Sequence, residues 1–206
     1  NPPGTPGAMP FATHVTMGAM VFTPADLAAA CPVMTMHRGE NSNTGRWGIW
    51  LTAAGAPYVY MRMDSASPRQ AGSIAEVAAN TAVHPAESSD AVRGTWRMII
   101  AQLKVESVDT VADTAPPTAT TRGAGAHLSL WVDGDLALST DVDISSFRGS
   151  NGLAWQASRT VLGAAYSAAT RQAGSPVTIG RSFFTLEPLA YGDPKWWEIT
   201  SWLGGL

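Results

Sequence analysis

Between His127 and Thr140 the chain alternates: Leu128, Leu130 and Val132 interleave with Ser129 and Trp131. A period of two marks a half-buried strand, because successive side chains leave opposite faces of the pleat. Asp133-Gly134 then interrupts the pattern, and Leu136-Ala-Leu-Ser-Thr140 returns. A type I′ turn needs positive φ, which Gly adopts freely, so the stretch predicts a tight hairpin. Similar short runs recur at Phe11 to Phe22, Val33 to Met36, Trp47 to Leu51 and Pro57 to Met63. In the last of these Tyr58, Tyr60 and Arg62 share one face, with Val59, Met61 and Met63 on the other. Thr95 to Val105 is a longer β-rich run and is predicted to be central. Gly152 to Trp155, Thr160 to Ala165, Val177 to Gly180 and Phe183 to Leu186 again have strand length and turn punctuation. No helical stretches separate these strands, so the pattern predicts an all-β antiparallel sandwich and not an α/β fold.

The remaining segments fall between or outside the sheets. Ala25 to Ala30 is expected to form a short helical turn, and Ser73 to Val83 a strand or an irregular segment. Val108 to Gly125, rich in Thr, Ala and Pro, is expected to be a long exposed loop. Residues 1–10 carry Pro2, Pro3, Pro6 and Pro10, which fix φ and remove backbone donors, so they form an extended arm. That arm is either a tail or a segment that docks on a neighbour. Residues 11–206 then make one sandwich domain, and 193–206 form a Trp-rich closing segment outside the sheets. A short helix there would start after Asp193-Pro194, a cap followed by Pro at the first helical position. One helix face cannot bury Trp196, Trp197 and Trp202 together. Either they plug one end of the sandwich or at least one anchors a partner.

Four pieces, in order, resemble the laminin-G/concanavalin-A-like superfamily of jelly-roll proteins. Phe11 to Phe22 resembles its opening strand, and Met34 to Gly39 with Arg46-Trp-Gly-Ile-Trp-Leu51 its first hairpin. Arg93-Gly-Thr-Trp-Arg-Met-Ile-Ile-Ala101 is similar to its central strand, with Arg97 where His is common. Leu128 to Leu138 resembles its "Leu-Tyr-Val-Asp-Gly" hairpin, with Trp131 for Tyr. The resemblance implies a two-sheet sandwich of jelly-roll topology. The C-terminal quarter departs from the pattern, and Pro188 interrupts its closing strand, which suits an edge.

Composition narrows the chemistry. Hydrophobic residues make up 45% of the 206 positions, enough for a core, while charged residues are only 14%. A net charge of −3 gives no basic excess for nucleic acid, and no apolar run is long enough for a membrane span. Opening on Asn1 and not Met, the chain is expected to be processed or trimmed. Cys31 stands alone and is expected to be a buried thiol outside any disulfide. Enzymes of this superfamily that hydrolyse β-glucans place three carboxylates on one strand. Here Asp64, Glu76, Glu106, Asp133, Asp135, Glu187 and Glu198 are scattered, which argues against that catalysis. Asp133, Asp135, Asp141 and Asp143 are the sole acidic cluster, short of the ligand count that calcium needs. His14, His37, His84 and His127 lack metal-ligand spacing and read as structural. A Ser-His-Asp triad has no nucleophile-elbow motif to support it.

The expectation is therefore a non-enzymatic structural or adhesion module without cofactor or metal. It would decorate a virion or another extracellular surface assembly. Its partners would be other subunits or a second copy, met through Pro2, Pro3, Pro6, Pro10, Trp196, Trp197 and Trp202. The alternative is a secreted carbohydrate-binding module, with a glycan as partner.

Overall fold

The computed structural model describes residues 14–38, 46–62, 93–112, 119–143, 158–164, 166–167, 170–171 and 174–205. The proline-rich arm, Ser73 to Val83 and Gly152 to Trp155 lie outside the described residues. Among the described residues, eleven strands and one helix are laid out as β1 (His14–Phe22), β2 (Cys31–Arg38), β3 (Arg46–Leu51), β4 (Pro57–Arg62), β5 (Trp96–Ala112), β6 (Ala119–Val132), β7 (Asp135–Asp143), β8 (Ser158–Leu162), β9 (Tyr166–Ser167), β10 (Thr170–Arg171), β11 (Thr178–Thr185) and α1 (Pro194–Gly204). They form a five-stranded sheet in the order β11-β1-β5-β6-β7, a four-stranded sheet in the order β4-β3-β2-β8 and a two-stranded pair, β10-β9. Each pairing between these strands is antiparallel. The all-β sandwich read from the alternation is the fold observed, with β5 at the centre of its sheet.

Alternation does the sorting. Val15, Met17, Ala19 and Val21 of β1 point inward with Ile99, Ala101 and Leu103 of β5 and Leu128 and Leu130 of β6. Val33, Met34, Ile49, Leu51 and Val59 of the second sheet close the same core. Cys31 is buried here, and burial holds its thiol above the usual value against a smaller opposing effect of a hydrogen bond with Ser175. Arg93 fastens the sheet ends: its guanidinium donates to the carbonyls of Ala53 and Ala54 in the β3–β4 turn and of Ala25 and Leu27 after β1. A planar fork of donors suits several carbonyls at once, which a lysine could not match.

Three local expectations are corrected. Val108 to Gly125 is not a loop for most of its length, since β5 runs on to Ala112 and β6 begins at Ala119, with Val111 paired to Thr120. Threonine and alanine there extend the ladder because cross-strand hydrogen bonds need no apolar side chain. The runs Val177 to Gly180 and Phe183 to Leu186 merge into one strand, β11, which leaves out Val177 and Leu186 and has a register shift opposite Ala19 and Val21. Ala25-Asp26 is a turn and not a helix.

The helix starts where Asp193-Pro194 places it and ends at Gly205 in the left-handed conformation, φ 77°. It lies on the outer face of the five-stranded sheet. Trp196 (1% exposed) and Leu203 pack with Leu189 on Ile100 and Trp131, and Met20, Met98 and Phe183 surround them. Gly18 makes room, since a Cβ there would come within 2.6 Å of Phe183 and 2.9 Å of Ile100. Trp196 is thus inside this second core, while Trp197 and Trp202 are about half exposed on the same helix. Replacing Trp196 by alanine should cost about 3–5 kcal/mol, the range for emptying a buried aromatic site. Urea denaturation would read it, and a change below about 1 kcal/mol would mean that α1 is not docked.

Candidate functional site on the open half of the five-stranded sheet

The helix covers only one end of the outer face. Beyond it the outward positions are polar, and the strand register lines them up. His14 of β1 pairs with Lys104 of β5, Lys104 with His127 of β6, and His127 with Asp141 of β7. The adjoining row runs through Thr185, Thr16, Gln102, Ser129 and Ser139. Cross-strand partners on one face bring their Cβ atoms within about 4.5–5.5 Å. The two rows form a band that carries two imidazoles, an ammonium and a carboxylate; Lys104, Ser139 and Asp141 are exposed and His14 and His127 partly so, whereas Thr16 and Ser129 of the second row are buried.

One extra residue decides which side chains join it. The hairpin turn has Asp133 at φ 53° and Gly134 at φ 94°, both positive as a type I′ turn requires. Val132 pairs with Asp135 and Trp131 with Leu136, but Leu130 then pairs with Leu138, so Ala137 is a bulge. Without it, Ser139 would oppose Leu128 and face the core. With it, Ser139 opposes Ser129, Asp141 opposes His127, and both stand outward. The turn itself is tied down. Asp133 accepts from the Met98 amide (2.7 Å), donates its own amide to the Met98 carbonyl (2.8 Å) and pairs with Arg97.

His127 is the best-organised group in the band. Its Nδ1 lies 2.7 Å from Asp141 Oδ1 and its Nε2 lies 2.8 Å from Ser139 Oγ. A carboxylate only accepts, which assigns the imidazole proton to Nδ1 and leaves the Nε2 lone pair to accept from the Ser139 hydroxyl. Imidazole orientation and tautomer are thereby fixed at a ring that is one-third exposed. Such an arrangement can remove a proton from a substrate, or from Ser139 itself. Lys104 pairs with Glu106 at 3.3 Å, both half exposed. A solvent-exposed pair is worth no more than about 1 kcal/mol, so an incoming carboxylate can take the ammonium over. His14 has its pKa pushed below the ordinary value by burial and, secondarily, by the charge of Lys104. Gln102 holds the band to its surroundings, donating to Thr16 Oγ1 (3.0 Å) and to the Leu189 carbonyl.

The structure separates the acidic cluster seen in the sequence. Asp133 is committed to Arg97 and Met98 at the turn, and Asp141 to His127, six residues beyond Asp135 along β7 and so about 20 Å away. Trp196 is buried beneath the helix, whereas Trp197 and Trp202 keep accessible surface. Pro2, Pro3, Pro6 and Pro10 lie outside the described residues. The sequence reading missed His127, Ser139 and Asp141 as a set. The available signal was the phase change after the turn: Leu136 and Leu138 are two apart yet fall on opposite faces.

No protein-family model and no curated protein matches the chain. Among solved structures it is similar to the alginate lyase vAL-1 from a Chlorella virus, at 15% identity and a TM-score of 0.39, over 84% of this chain and 69% of that one. It is also similar to the alginate lyase Aly36B, at 14% identity and a TM-score of 0.38, over 72% of this chain and 66% of that one. The expectation of a non-enzymatic structural or adhesion module is corrected here, because both of these solved structures are alginate lyases. Scattered carboxylates speak against one reaction only, glycosidic hydrolysis by an acid pair.

His14 gives a pH test. Its pKa is depressed on folding, so below about pH 6.5 the unfolded chain takes up the proton first and stability falls with pH. His14→Gln should therefore match the parent protein at about pH 8 and exceed it in denaturant midpoint at about pH 5. Equal midpoints at both pH values would remove His14 from the electrostatics of the band.

Proposed function

We propose that the open half of the five-stranded sheet binds an acidic polysaccharide and cleaves it by β-elimination, with His127 as the base, on a sandwich of the concanavalin-A-like type. The observation that supports this reading is His127 fixed between Asp141 and Ser139 while its row neighbour Lys104 presents a displaceable ammonium. Glycosidic hydrolysis calls for two carboxylic groups, one protonated, on either side of the bond. In this band the Asp141 carboxylate is turned to the imidazole. Elimination from a uronate calls for something else: a cation on the sugar carboxylate, which makes the adjacent C5 proton more acidic, and a base to take it. Lys104, flanked by His14, serves the first role and His127 the second. The electron pair of the C5–H bond becomes the C4–C5 double bond as the C4–O bond breaks. The imidazolium can return its proton to the leaving oxygen.

Ser139 supports a second reading. Its hydroxyl, His127 and Asp141 share the hydrogen-bond order used for acyl transfer. A serine ester hydrolase acting on acylated polysaccharide would use the same side chains.

One experiment separates them. The chain is incubated with alginate, polygalacturonate and a neutral glucan, following ultraviolet absorbance of the conjugated double bond and, in parallel, ester release from acetylated polymers. Elimination should appear with an acidic polymer and not with the glucan. His127→Ala should lower its rate about 100-fold or more, Lys104→Ala should mainly raise KM, and Ser139→Ala should change the rate less than about ten-fold. Ester release abolished by Ser139→Ala, without elimination, would replace the first reading with the second. Neither product from any polymer would overturn both.

A further inference from the structure

The apolar half of the same face has a feature that core packing does not require. Tyr191 and Trp197 are 54% and 52% exposed, and Leu136, the cross-strand partner of Trp131, is 54% exposed. They surround one buried base: Tyr191 lies parallel to Trp131 (centroids 6.1 Å apart, planes 2° apart), touches Trp196 at 5.2 Å and meets Trp197 at 5.9 Å. Trp197 does not swing freely, because its indole Nε1 donates to the Gly192 carbonyl at 3.1 Å. Gly192 permits that turn at φ 91°. Two exposed rings and a leucine are thus held in place on a buried aromatic floor. Exposed aromatic surface is costly to leave in water, and prior ordering lowers the entropy lost when a ligand arrives.

The position of the cluster says what it meets. Trp131 is on β6 with Ser129 and His127, all on the outward face. At about 3.3 Å per residue, Trp131 lies roughly 13 Å from His127 along the strand. A linear polymer lying along β6 with one unit at His127 would bring a unit a few sugars away over Tyr191 and Trp197. A pyranose ring has an apolar C–H face as well as its hydroxyls, and flat, rigid aromatic side chains complement that face.

We infer that Leu136, Tyr191 and Trp197 form a distal sugar-stacking subsite for the same polysaccharide chain. The inference rests on the reading of the polar band as a saccharide site, but not on which bond is cleaved there. Trp202, the other exposed tryptophan of α1, stands apart from the cluster, with Arg181 of β11 over its ring at 5.7 Å. It serves as the control.

The test uses the full chain in a His127→Gln background, to stop cleavage, and titrates a length series of oligouronates calorimetrically. Tyr191→Ala and Trp197→Ala should each weaken binding of long oligomers about three- to ten-fold. Oligomers too short to span from His127 to Tyr191 should bind unchanged, and Trp202→Ala should have no effect on either. In the His127→Gln protein with Tyr191 and Trp197 intact, the Trp197 indole N–H resonance should shift with long oligomers and not with short ones, which keeps the test independent of whether the alanine variants fold. Long-oligomer affinity unchanged in both variants, or an indole resonance that does not move, would overturn the subsite. Length-dependent binding through these rings with no bond cleavage by the parent chain would uphold the subsite and overturn the elimination reading instead.

Discussion

The open face of the five-stranded sheet depends on the register of one hairpin. Asp133 and Gly134 set a two-residue turn, and Ala137 then adds one residue to β7 before the ladder resumes. Side-chain direction in a strand has a period of two, so a single inserted residue exchanges the faces of everything that follows. Leu138 is thereby placed with the core cluster, and Ser139 and Asp141 are delivered to His127. Buried with the core, the Asp141 carboxylate would carry a desolvation cost of several kcal/mol with no partner to offset it. The hydrophobic pattern of the strand and the chemistry of the face therefore require the same bulge. Arg97 and the Met98 backbone, by clamping Asp133, hold the turn against the central strand β5 from which Lys104 and Gln102 also project.

A second division of labour follows from the C-terminal helix. One end of the outer face is apolar and is covered by Trp196, Leu189 and Leu203. The other end carries the polar rows, with Lys104, Ser139 and Asp141 exposed and Thr16 and Ser129 buried. Leu189 links the two ends, its side chain in the apolar cluster and its carbonyl bonded to Gln102. The helix thus does more than seal hydrophobic surface: it also fixes the border of the polar band, with Tyr191 and Trp197 standing at that border.

Much of the fold was legible because alternation and turn chemistry are local. The hairpin at Asp133-Gly134, the central position of β5 and the capped start of α1 after Asp193 all follow from residues near in sequence. The threonine- and alanine-rich continuation of β5 into β6 was not legible, because a ladder made of backbone hydrogen bonds leaves no hydrophobic signature. The site was hidden for a different reason. His127, Ser139 and Asp141 look unrelated in the sequence, and their convergence depends on a bulge whose trace is the change of phase between Leu136 and Leu138. His14 and Lys104 come from strands ninety positions apart, joined only by the β1–β5 register. The tryptophans illustrate the limit of composition: Trp196 and Trp197 are adjacent, yet one is core and the other surface.

The central claim is that the outward band around His127 receives an acidic saccharide. The most direct measurement is an NMR titration of the imidazole resonances with an acidic oligosaccharide, and with a neutral one of equal length as reference. The account predicts that His127 and His14 shift together and saturably with the acidic ligand, while the neutral one leaves them in place. Resonances of His127 and His14 that stay fixed with the acidic oligosaccharide, or that move equally with the neutral one, would contradict it.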